Sequence, residues 1–106
     1  MMRFRRGLSR ILEFTVDDTV GEISTCKITF AQKGQTVLTK TLNEDAEMIL
    51  NGNVLRLRLN ADETLLFEPN EKIQVQVLLK YKNGYGDATN IENILALDTL
   101  GREVIS

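Results

Sequence analysis

The sequence predicts an all-β fold in which two antiparallel sheets pack face to face, an immunoglobulin-like sandwich of about seven strands. Three observations carry this prediction. Apolar and polar residues alternate strictly over residues 72–82, turn-forming residues recur about every 8–12 residues, and no segment has the apolar spacing of a long helix. One domain is expected, because 106 residues is close to the commonest domain size.

Residues 72–82 predict the central strand. Successive side chains of a strand point to opposite faces, so one parity of this segment is buried and the other faces water. The buried parity consists of Ile73, Val75, Val77, Leu79 and Tyr81. The other predicted strands cover residues 10–16, 22–32, 35–42, 48–50, 54–59 and 88–97.

Two features add detail to the predicted sheets. Asn51-Gly52 predicts a type I′ hairpin turn, followed by a strand with Leu55, Leu57 and Leu59 inward and Arg56 and Arg58 outward. The segment 35–42 has mixed apolar phasing, which is typical of an edge strand.

A short helical turn is predicted near residues 61–66. Asn60 can cap its first turn, and Glu63 can reach back to the backbone of Asn60 as in a capping box. Pro69 ends this turn before the central strand begins.

The topology stays open at this point. The short Lys33-Gly34 connection joins the second and third predicted strands, which normally lie in opposite sheets of an immunoglobulin-like sandwich. The usual cysteine pair and tryptophan are absent, because the chain has one cysteine and no tryptophan. A barrel or jelly-roll variant therefore remains an alternative.

Charge divides the chain into a basic N-terminal arm over residues 1–9, a β-sandwich domain over 10–98 and a C-terminal tail over 99–106. Arg3, Arg5, Arg6 and Arg10 are the charged residues of the first ten, whereas the whole chain has a net charge of −2. No apolar run approaches the roughly 18 residues that span a bilayer, and no apolar segment follows the N-terminal arginines as in a secretory signal. The single cysteine favours a protein made and kept in the cytosol.

The sequence offers no catalytic machinery. It has no histidine, no P-loop, no dinucleotide fingerprint and no G-x-S-x-G motif, so an enzyme is not expected and no catalytic, cofactor-binding or metal-binding residue is assigned. Cys26 lies on the inward parity of its strand, which predicts an inert core thiol. The acidic pairs and triplets at 17–18 and 44–47 fit solvated turns better than calcium loops.

Two binding functions are alternatives to a structural role. Tyr81 and Tyr85, with Asn83 and Asp87, could form a small patch on which a sugar stacks, giving a carbohydrate- or ligand-binding module. The arginine arm could contact nucleic acid, but no aromatic residues interleave with it, which argues against a nucleic-acid partner.

A set of short segments spans nearly the whole chain: Arg5-Arg6-Gly7-Leu8, Thr29-Phe30-Ala31-Gln32 with Gly34, Leu59-Asn60 leading to Thr64-Leu65 and Phe67, Ile73-Gln74-Val75-Gln76-Val77, Asn83-Gly84 and Ala88-Thr89-Asn90-Ile91. Together these segments resemble a family of small proteins that phages and prophages of Gram-positive bacteria encode near their tail and baseplate genes. Those proteins are in turn similar to the N-terminal β-sandwich domain of phage baseplate upper proteins.

The resemblance implies a structural role in tail or baseplate assembly, in the host cytoplasm and in the virion, with other phage structural proteins or a second copy as partners. It brings no site residues with it. From the sequence itself, the residues expected to contact a partner are Arg3, Arg5 and Arg6 in the arm and Val104 and Ile105 in the tail.

Overall fold

A computed structural model describes residues 2–16, 21–45 and 47–97 of the chain. Within these residues it contains eight strands and one short helix. In chain order they are β1 (Met2–Arg5), β2 (Arg10–Thr15), β3 (Ile23–Gln32), β4 (Gln35–Thr41), β5 (Met48–Asn51), β6 (Val54–Leu59), α1 (Ala61–Thr64), β7 (Lys72–Tyr81) and β8 (Gly86–Leu97).

The strands form two sheets. The larger sheet has the order β1-β8-β7-β3-β4 and the smaller sheet has the order β2-β6-β5. All pairs are antiparallel except β1 and β8, which run parallel. This is the strand order of an immunoglobulin sandwich of the variable type, in which the larger sheet has an added strand, here β4 beside β3. The predicted two-sheet, immunoglobulin-like class is confirmed.

The Lys33-Gly34 connection is explained by a strand that the sequence did not predict. Met2–Arg5 forms β1, so the strand beginning at Arg10 is the second of the fold and the hairpin at Lys33 joins the third and fourth. Both of these strands belong to the larger sheet. The segment predicted as an arm thus contains a four-residue strand, and the strand total among the described residues is eight rather than about seven.

The core lies between the two sheets and follows the predicted alternation. Along β7 every second side chain, from Ile73 to Tyr81, is buried. In β6 the three leucines are buried and Arg56 and Arg58 are exposed, as predicted. Phe67 lies at one end of the core, with its ring edge-to-face against the rings of Phe4 and Phe30.

The hairpin turn between β5 and β6 differs from the sequence prediction in its turn type. Asn51 pairs with Val54, so the central residues of that turn are Gly52 and Asn53, and only Gly52 has a positive φ, 61°. A positive φ at the first central residue alone belongs to a type II′ turn, so the predicted type I′ assignment is wrong. The type I′ pattern occurs instead at Lys33 (φ 52°) and Gly34 (φ 77°).

The predicted capping box at α1 is present and is tied into the fold by a shielded ion pair. The Asn60 side chain accepts a hydrogen bond from the Glu63 amide, and the Glu63 carboxylate accepts one from the Asn60 amide. The other oxygen of Glu63 pairs with the ammonium of Lys40, which points inward from β4 and is 9% exposed. This ion pair connects the edge of the larger sheet to the end of β6.

Candidate interaction surface

The outward face of the larger sheet carries the main concentration of positive charge. Five basic residues point outward from it, and we call this surface the basic face: Arg3 and Arg5 on β1, Lys27 on β3, and Lys72 and Lys80 on β7. No acidic side chain points outward from this sheet among those that the structure describes.

The register explains how distant parts of the chain meet there. Arg3 and Lys72 both lie beside Leu95 of β8, one on each side of that strand. Leu78 lies beside Lys27 on the neighbouring strand and, at 39% exposure, contributes an apolar area near the centre. The basic face therefore combines an apolar centre with positive charge toward both sides.

The lysines of the basic face differ from the other lysines of the chain in their ion pairing. The three lysines elsewhere each contact a glutamate: Lys33 with Glu68 at 2.8 Å, Lys82 with Glu22 at 2.8 Å, and Lys40 with Glu63. Lys27, Lys72 and Lys80 make no ion pair with any acidic residue that the structure describes. Their charge is therefore available to an acidic partner.

A titration shift illustrates the contrast. The Lys33 ammonium donates a hydrogen bond to the Glu68 carboxylate, and Glu71 lies 4.0 Å away. The hydrogen bond to Glu68, followed by the charges of Glu68 and Glu71, raises the pKa of Lys33 above its usual value. The positive charge of Lys33 is thus already paired with acidic side chains of the same chain, although Lys33 lies at the end of the same sheet.

The residues predicted to contact a partner have different surroundings. Arg3 and Arg5 are exposed on the basic face. Arg6 is half-buried and donates a hydrogen bond to the carbonyl of Leu65 (3.2 Å), so it packs against the turn after α1. Val104 and Ile105 lie outside the described residues. Lys27, Lys72 and Lys80 were not predicted as partner contacts, although the alternation of β3 and β7 indicates that their side chains point outward.

The two-tyrosine sugar patch is not formed. Tyr81 is 1% exposed in the core, whereas Tyr85 is 68% exposed in the following loop. A buried ring offers no face on which a sugar could stack. The earlier hypothesis that both rings face a ligand is therefore wrong.

Cys26 is buried, and removal from water raises the pKa of its thiol to about 11. Because the thiolate is the reactive species, we expect native protein at pH 8 to react with a disulfide reagent at least ~100-fold more slowly than protein unfolded in urea. The same shift predicts that stability falls between pH 9 and pH 11, where the unfolded thiol ionises and the folded thiol does not.

The absorbance of the thiolate released from the reagent measures the rate at which Cys26 reacts. The Cys26→Ala variant is the control and should give no signal. Equal rates in native and unfolded protein would contradict the buried position of this thiol.

Within residues 2–16, 21–45 and 47–97, no group of three histidine, cysteine, aspartate or glutamate side chains is arranged to hold a metal ion. No helix in the same part of the chain is long and apolar enough to cross a membrane.

Comparison with known proteins identifies no family for this chain. No protein-family model and no curated protein matches the chain. Among solved structures, the V domain of amphioxus IgVJ-C2 aligns over 91% of this chain and 99% of that domain, at 14% sequence identity and a TM-score of 0.36. A TM-score this low supports no argument, so the fold assignment rests on the strand order and register above.

The fold and the surface together define a class of protein. An immunoglobulin-like sandwich is a scaffold whose outer faces and loops serve recognition in many cell-surface domains, although fold alone does not determine activity. In this chain the distinctive surface is the exposed, positively charged face of the larger sheet. That combination is typical of a protein–protein interaction module.

Proposed function

We propose that this protein is a non-enzymatic structural module of phage or prophage tail and baseplate assembly. It acts in the host cytoplasm during assembly and is carried in the virion. Its partner is another structural protein with an acidic surface, which binds the basic face. The observation that carries this proposal is a set of three lysines on one sheet face that pair with no acidic side chain in the described part of a chain whose net charge is −2.

The character of the face favours a protein over a nucleic acid. Single-stranded nucleic acids are held by aromatic side chains on which bases stack, and no described outward residue of this sheet is aromatic. The centre instead offers Leu78 flanked by the uncharged side chains of Thr29 and Gln76, which suit contact with a polypeptide. The positive charges of Lys27, Lys72 and Lys80 around such a centre select the partner and accelerate association.

The assignment to phage assembly is supported by the sequence resemblance alone. The residues that carry it include Thr29-Phe30-Ala31-Gln32 and Ile73–Val77, which lie on adjacent strands of the larger sheet. They maintain the sheet that presents the basic face, so the resemblance concerns the scaffold of the interaction surface. Mass spectrometry of purified particles and of tail-assembly intermediates tests this part: absence of the protein from both would contradict it.

The binding surface is tested with a poly-glutamate peptide of about 20 residues as the acidic probe. We expect binding by the full chain that weakens steeply between about 50 and about 300 mM sodium chloride, because exposed charges are screened by salt. Lys27→Gln combined with Lys80→Gln is expected to weaken binding about tenfold, since both side chains belong to the basic face. Isothermal titration or fluorescence anisotropy measures the affinity.

The matched control is Lys33→Gln combined with Lys82→Gln. It removes the same number of charges from exposed lysines that already pair with glutamates. This control should bind the probe within about twofold of the original chain. An equal loss in both double variants would mean that net charge, not the basic face, governs binding. Tighter binding of duplex or single-stranded DNA than of poly-glutamate in the same salt would replace the protein partner with a nucleic acid.

A further inference from the structure

The outward face of the smaller sheet differs from the basic face in charge and in apolar content. Its four charged residues are two acids and two bases, and they pair within the chain: Arg56 with Glu13 at 2.9 Å and Arg58 with Glu47 at 3.8 Å. The face as a whole is neutral among its described side chains.

Exposed aliphatic side chains surround the Glu13–Arg56 pair. Ile11 lies on one side of this pair along the strands and Val54 on the other, while Ile49 lies beside Arg56 on β5. Their exposed fractions are 54% for Ile11, 36% for Val54 and 58% for Ile49. Half of the large hydrophobic residues that the structure describes as exposed are therefore on this three-stranded face.

We propose that two copies of this chain pair through the outward faces of their smaller sheets. A two-fold axis that lies in the interface between β2 and β6 places Glu13 of one copy over Arg56 of the other, in both directions at once. Each Glu13 then has an arginine of both copies beside it, and Ile11 and Val54 leave water, whereas Ile49 on β5 lies at the rim of the interface.

Charge selects a second copy as the occupant. The smaller sheet's face carries both signs in equal number, so it is complementary to itself under a two-fold rotation. The basic face has described charges of one sign and would repel a second copy of itself. Pairing through the smaller sheets therefore leaves both basic faces outward, which gives the dimer two separate docking surfaces and the gain in avidity that two linked sites provide.

The size of the face indicates a weak dimer. Only β2 and β6 overlap under this axis, and strands about 4.8 Å apart that rise about 3.3 Å per residue give an overlap of roughly 20 by 10 Å. That is about 200 Å², compared with about 800 Å² per partner in a standard stable interface. The dissociation constant is therefore expected to be on the order of 100 µM, with monomer at about 10 µM and mostly dimer near 1 mM.

Sedimentation equilibrium of the full chain over this concentration range tests the proposal. The apparent mass should double for the original chain and stay at the monomer value for Ile11→Lys, because the two-fold places residue 11 opposite Arg58 of the other copy, where a lysine meets a like charge. The matched control is Leu66→Lys, the same change at an aliphatic residue of similar exposure outside both sheet faces, and it should dimerise like the original chain. Circular dichroism confirms that each variant remains folded.

A charge-exchange experiment identifies the face directly. The Glu13→Arg variant carries two positive charges at positions 13 and 56, which lie opposite each other on β2 and β6. The Arg56→Glu variant carries two negative charges at the same two positions. Each variant alone should remain monomeric, whereas an equimolar mixture should form a heterodimer at least about tenfold tighter than either homodimer. A monomer at every concentration of the original chain, doubling that survives Ile11→Lys, or a mixture that stays monomeric would each overturn the proposal.

Discussion

Replacing Phe67 with alanine is expected to lower the free energy of unfolding by about 4 kcal/mol, the largest effect anticipated for a single substitution in this chain. The Phe67 side chain is fully buried, with its ring centroid 5.5 Å from that of Phe4 and 5.8 Å from that of Phe30. Alanine would leave a cavity between β1, β3 and the segment after α1, and two edge-to-face ring contacts would be lost. Urea denaturation followed by circular dichroism measures the change.

Leu66→Ala provides the matched control for Phe67, because Leu66 is the adjacent residue and is 56% exposed. It should cost about 0.5 kcal/mol, within the usual range for exposed positions. A Phe67→Ala variant whose urea midpoint lies as close to the original as that of Leu66→Ala would show that Phe67 does not close the end of the core.

Glu63→Ala is expected to lower the free energy of unfolding by about 3 kcal/mol. The substitution removes the capping carboxylate of α1 and leaves the shielded Lys40 ammonium without its close partner. Asp45, whose carboxylate oxygen is 3.9 Å from the same ammonium, compensates in part. Thermal and urea unfolding both measure the loss.

Two variants separate the contributions of charge and cap. Asp62→Ala changes an exposed acid in the same turn and should cost less than about 1 kcal/mol. Lys40→Met combined with Glu63→Gln removes both charges, and the glutamine can still accept the bond from the Asn60 amide. This double variant should recover most of the stability that Glu63→Ala loses. If it were no more stable than Glu63→Ala, the shielded ion pair would not be the source of the effect.

Period-two patterning predicted the elements that are buried on one face. Residues 72–82 and 54–59 alternate cleanly, and the structure forms β7 and β6 with the predicted side chains inward. The capping residues Asn60 and Glu63 likewise predicted α1, because the cap depends on local spacing alone. Local chemistry is therefore enough for these elements.

Elements that depend on distant partners were not predictable in the same way. β1 is four residues long and contains two arginines, so only its parallel pairing with β8 makes it a strand. Lys40 occupies an inward position that the alternation of β4 left ambiguous, and its partner Glu63 lies on α1. The same holds for the basic face. The alternation of β7 predicts that Lys72 and Lys80 point outward, but only the strand order shows that they share a face with Arg3.

An acidic partner is expected to dock on the outward face of the larger sheet. Backbone amide NMR of the full chain, titrated with the poly-glutamate probe, tests it residue by residue. We expect the largest shift changes at Lys27, Gln76 and Leu78, with those at Ile11 and Ile49 near zero. Changes confined to the sheet-end lysines Lys33 and Lys82, or to the smaller sheet, would contradict it.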